Sequence, residues 1–102
     1  MYALHVTFTS TASAEDLRAG QLAFAQHVSS VPGFVSKTWL HDSADQGGFY
    51  LFADRDAAQA YLDGPLFARL RGNPAVEELT VRGWAVDVEL GARTHAAPAH
   101  AG

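Results

Sequence analysis

From Tyr2 to Thr9 the chain alternates Leu4, Val6 and Phe8 with His5, Thr7 and Thr9, a period of two that predicts a strand with one strongly apolar face. Ser13-Ala14-Glu15-Asp16 then has the form of a helix N-cap, with acids in the first turn where the helix dipole favours negative charge. Leu17, Phe24, Val28 and Val31 recur at helical spacing, so a helix over about Ala14 to Ser30 is predicted to turn one stripe toward a sheet. Gly20 falls within that stripe at a cost of ~1 kcal/mol. Close packing is the commoner reason for such a glycine, and space kept open for something else is the other.

Val31-Pro32-Gly33 ends this helix, because Pro biases the residue before it away from helical geometry and Gly permits the turn. Phe34 to His41 and Gly48 to Ala53 read as two strands of a hairpin around the polar loop Asp42 to Gly47. Symmetric folding about that loop sets Trp39 opposite Tyr50 and Lys37 opposite Phe52. Asp54 caps a second helix, which Asp63-Gly64-Pro65 interrupts and Leu66 to Arg71 restarts, with Pro65 in a first turn where its missing N–H matters least. A final strand is predicted from Val76 to Val88, with a bulge near Gly83 where the apolar parity switches. From Gly91 onward no apolar period remains, and residues 91–102 read as a flexible tail after a single domain spanning 1–90.

The order β-α-β-β-α-β predicts an α+β, ferredoxin-like split arrangement: a four-stranded antiparallel sheet with two helices on one face. Several strands are apolar on both faces, as in the interleaved pairs Phe49/Leu51 and Tyr50/Phe52. One helical layer covers one face only, so the other is expected to pack against a second copy in a homodimer.

Composition narrows the chemistry. Hydrophobic residues make up 48% of the 102 and charged residues 18%, with no apolar run near the ~18 residues of a membrane span. A soluble, cytoplasmic protein without a membrane partner is expected. The absence of Cys removes disulfides, thiolate metal sites and thiol nucleophiles. A net charge of −4, with Lys37 as the one lysine and six scattered arginines, offers no basic face for nucleic acid.

Pro32-Gly33-Phe34, Trp39, the run Gly47-Gly48-Phe49-Tyr50-Leu51-Phe52-Ala53-Asp54, and Ala57-Ala58 with Ala60-Tyr61-Leu62 together resemble the YdhR-type monooxygenase family. The likeness is densest over 32–71 and extends over 2–90. The resemblance implies membership of the dimeric α+β barrel superfamily, beside the antibiotic-biosynthesis monooxygenases, with a ligand cavity between sheet and helices. It further implies oxygenation of a small aromatic or quinol-like substrate with no metal, flavin or haem cofactor.

Such chemistry requires a base, hydrogen-bond donors for an oxyanion and an apolar pocket that excludes water. His5 is the first candidate base, because imidazole titrates near neutral pH, and His41 at the hairpin end is the second. Tyr50 and Trp39 are candidates to donate hydrogen bonds while stacking on the substrate, and Lys37 or Arg82 to stabilise negative charge. Phe52, Tyr61 and Trp84 complete the substrate-binding candidates. The five histidines show no paired ligand spacing, so no metal site is expected.

Competing structural roles are plain for each. His5 suits a structural or interface position, Trp39 and Trp84 suit core or interface packing, and Lys37 suits a stem that snorkels to solvent along the sheet edge. A non-catalytic dimeric module that binds a small ligand is the alternative function.

Overall fold

The computed structural model describes residues 1–96. Its elements run β1 (Tyr2–Ser10), α1 (Ala14–Val28), β2 (Phe34–Asp42), β3 (Asp45–Phe52), α2 (Arg55–Leu62), α3 (Pro65–Gly72), β4 (Val76–Ala85) and α4 (Val88–Arg93). The four strands form one antiparallel sheet in the order β2-β3-β1-β4. This is the α+β ferredoxin-like fold read from the sequence, with the second helix divided into α2 and α3.

Local signals act as expected at the helix starts. The Ser13 side chain accepts from the Asp16 N–H at 3.1 Å, and Asp54 Oδ1 accepts from the Ala57 N–H at 2.8 Å. Gly64 opens α3 without a side-chain cap, directly before Pro65. Leu4, Val6, Tyr50 and Phe52 supply the sheet side of the core, and Ala58, Tyr61, Phe67 and Val28 pack onto them from the helices. Removing these side chains from water contributes roughly 1.5–3 kcal/mol for each large apolar group.

Three local expectations are corrected. The hairpin loop is Ser43-Ala44 alone, so Lys37 pairs with Tyr50 and Trp39 with Gly48, two residues away from the symmetric estimate. Ser43 adopts φ 54, which closes a two-residue turn and lets Asp42 pair with Asp45. Because the displacement is two residues, every side chain keeps its face.

The irregularity in β4 lies between the Thr7–Thr80 and Thr9–Glu77 pairs, where Glu78 takes φ 55, and pairing through Gly83 is regular. Gly83 instead makes room for Tyr2, whose hydroxyl lies 2.5 Å from where a Cβ would stand. Finally, β4 stops at Ala85 because its partner strand runs out: Ala85 pairs with Tyr2, and the Val86 N–H donates to the Met1 carbonyl. Asp87 then caps α4 through the Leu90 N–H at 2.9 Å, so the start of the expected tail is helical. The rest of that tail, with His100, lies outside the described residues.

Candidate functional site

Helix α1 fully buries only Val28; Phe24 packs partly against the core, and Leu17, Gly20 and Phe24 line a gap above the sheet. A cavity of about 490 Å³ fills the gap, floored by Val6 and Phe8 of β1 and by Gly48 and Tyr50 of β3. Leu17, Gly20 and Phe24 of α1 and Leu66 and Leu70 of α3 form its roof and side, and Lys37 and Trp39 of β2 close one end. Gly20 serves this space rather than close packing, since a Cβ there would meet nothing within 4 Å.

Lys37 is the most unusual group in the cavity. β2 is an edge strand, yet the side chain turns inward over the sheet and does not snorkel outward. Its Nζ lies 3.4 Å from the Trp39 ring centroid, 4.5 Å from that of Tyr50 and 4.6 Å from that of Phe24. Glycine at position 48 makes this possible: a Cβ there would lie 2.5 Å from Lys37 Cε and 3.0 Å from the Tyr50 ring. Burial without an anionic partner pulls the ammonium down from 10.5 to about 7. The ring faces attract the charged form, so the amine sits in a site that tolerates both states.

Tyr50 is fully buried and receives a hydrogen bond from the Tyr61 hydroxyl at 3.2 Å. Because Tyr61 donates, the Tyr50 O–H proton is left for another acceptor. Burial pushes the Tyr50 hydroxyl up to about 12, and burial with the neighbouring phenol pushes Tyr61 up further, so both remain neutral donors at physiological pH. Gln46 adds a buried amide to the cavity wall, accepting from Gln21 Nε2 at 3.3 Å and donating to the Ser43 carbonyl at 3.2 Å. Asp16, His27 and Arg69 bring charge or titratable nitrogen to the rim.

The structure therefore brings together Lys37, Trp39 and Tyr50, packs Tyr61 and Phe52 against Tyr50, and separates His5, His41, Arg82 and Trp84 from them. His5 projects from the opposite sheet face, 6.4 Å from the Phe49 ring and paired with Arg82 of β4. Strand parity keeps it out of this cavity, since Leu4 and Val6 occupy the core side of β1. Arg82 lies on that same outer face, 4.1 Å above the Trp84 ring, and Trp84 is exposed there. His41 borders a shallower groove at the hairpin end. Phe52 is core, and Tyr61 stands behind Tyr50 as its donor.

Gln46 and Phe24 escape the sequence reading. Their signals are present but weak: Gln46 falls inside a polar stretch that reads as loop, although its spacing of two residues from Gly48 and four from Tyr50 puts it on their face. Phe24 reads as one more residue of a helix stripe.

The family described as "Putative mono-oxygenase ydhR" matches residues 3–97. No curated protein matches the chain. Among solved structures, a protein of unknown function from Nitrosomonas europaea, NE2512, is similar at 26% identity and TM-score 0.67, covering 83% of this chain and 87% of its own. SnoaB, a cofactor-independent oxygenase from Streptomyces nogalater, is similar in fold at 17% identity and TM-score 0.70, covering 83% of this chain and 91% of its own. MhuD, a heme-degrader from Mycobacterium tuberculosis with two hemes in its active site, has TM-score 0.66 at 19% identity, covering 86% and 97%. With nearly all of the described chain matched, this protein belongs to the YdhR family of mono-oxygenases.

Proposed function

We propose that the protein is a cofactor-independent monooxygenase that oxidises a small aromatic or quinol-like substrate in the cavity beneath α1. The observation that carries this is the Lys37 amine, held in the cavity among the rings of Trp39, Tyr50 and Phe24. Family membership supports the reaction class. The like-folded SnoaB, a cofactor-independent oxygenase, supports the absence of a cofactor.

An anthrone illustrates the chemistry. The neutral Lys37 amine takes a proton from the activated CH₂ carbon, and the resulting anion spreads its charge to the ring oxygen, where the Tyr50 O–H donates. The anion passes one electron to dioxygen, and the radical and superoxide combine to a carbon-bound peroxide. That peroxide accepts a proton from the Lys37 ammonium, then loses the second C–H as a proton to the amine and its outer oxygen as hydroxide, which together make one water and leave a C=O. One oxygen atom enters the product and the other leaves as water, so CH₂ and O₂ become C=O and H₂O. The apolar walls keep competing protons from the carbanion.

The outer sheet face carries exposed Phe49, Trp84 and Leu40, and a second copy of the chain is its occupant in this account. Each cavity lies within one protomer, so the dimer supports the sheet and does not supply the base. The function is tested by oxygen uptake with dithranol, an anthrone, under ¹⁸O₂. Enzyme-dependent uptake with one labelled atom in the quinone is expected; binding-induced stabilisation without uptake would make the protein a ligand-binding module instead.

A further inference from the structure

We propose that Lys37 also captures aromatic aldehydes in the cavity as a reversible imine, a reaction separate from oxygenation. The chain has a single lysine, and the fold directs it inward to the cavity beneath α1 instead of to solvent. Lysine is rarely buried without a partner, because its ammonium loses hydration there. At Lys37 Nζ the neighbours are ring faces, with no hydrogen-bond acceptor among the described residues.

A nucleophilic amine needs a free electron pair, access to the carbonyl and a donor that polarises the carbonyl oxygen. Burial supplies the first, since it holds the amine near neutral pH titration. The cavity supplies the second, with flat apolar walls in Trp39 and Phe24 suited to an aromatic ring. Tyr50 supplies the third, because its hydroxyl accepts from Tyr61 and keeps its own proton to give. Asp16 and His27 from α1 and Arg69 from α3 line the same space and set its remaining charge.

The step balances simply. Nζ adds to the aldehyde carbon, the oxygen takes up a proton, and loss of water from the carbinolamine leaves a C=N bond to Lys37. No oxidant is consumed.

The test uses benzaldehyde with cyanoborohydride at pH 7 under nitrogen, the hydride reducing any imine to a stable benzylamine that peptide mass analysis locates. A single benzyl group on Lys37 is expected, forming at least about tenfold faster than on the same lysine in guanidinium-unfolded chain, where an ordinary amine is neutral in roughly one molecule per 2,500. Lys37→Arg should leave only the Met1 α-amine to react. Gly48→Ala, which keeps the amine but displaces it, should slow Lys37 labelling without changing that of Met1. Labelling confined to Met1, or Lys37 reacting no faster than in the unfolded chain, would overturn the proposal. Failed trapping beside intact dithranol-dependent oxygen uptake would overturn imine capture alone, because the trapping needs no oxygen and dithranol has no aldehyde.

Discussion

Lys37 is held at a cost, and that cost is measurable. Its amine titrates near 7 in the folded chain against 10.5 when unfolded, so between those values the unfolded chain binds more protons. Stability therefore rises with pH across that window and is lowest below it, where the buried site must hold the charged form. Lys37→Met keeps the stem and removes the charge, and it should raise stability at pH 7 by about 1 kcal/mol or more while flattening the rise toward pH 10. Thermal melts at several pH values check both. The Tyr61–Tyr50 pair works in the opposite sense. Tyr61→Phe leaves the buried Tyr50 oxygen without its donor, and a loss of roughly 1–3 kcal/mol in urea unfolding is expected.

At the scale of elements, α1 is the roof that the cavity requires, and its glycine is the informative position. Gly20→Ala should stabilise the helix by about 1 kcal/mol, because a Cβ there meets open space, and the gain should appear as a higher melting temperature. Had Gly20 marked close packing, the same change would destabilise. The element order through β4 and the side-chain caps of α1 and α2 were legible in the sequence, because strand alternation, Ser13, Asp54 and Pro65 are local signals, whereas α4 and its Asp87 cap were not read. The site was legible in part. Parity put Lys37, Trp39 and Tyr50 on one face even with the hairpin register off by two residues. It also put His5 on the other face, but only the gap under α1 decides which face holds the cavity. The inward turn of Lys37 depends on Gly48 across the strand pair, a contact that spacing along one strand does not reveal.

At the scale of the whole molecule, one sheet serves two apolar environments, the cavity under α1 and an outer face bearing Phe49, Leu40 and Trp84. If a second copy covers the outer face, sedimentation at micromolar concentration gives a dimer, and Trp84→Glu converts it to monomer; a monomeric native protein would remove that part of the account. The same division of faces assigns chemistry to the cavity side. In the proposed oxygenation the base is Lys37, which shares the cavity lining with Tyr50 on β3, Asp16 and His27 on α1 and Arg69 on α3, while His5 lies outside that lining. The most direct measurement is the rate of dithranol-dependent oxygen uptake in Lys37→Met and His5→Gln, side by side with the native chain from pH 6 to 8. The native rate should rise through about pH 7 as the amine loses its proton, fall by at least about 100-fold in Lys37→Met, and persist in His5→Gln. Uptake that survives in Lys37→Met and disappears in His5→Gln would contradict the account.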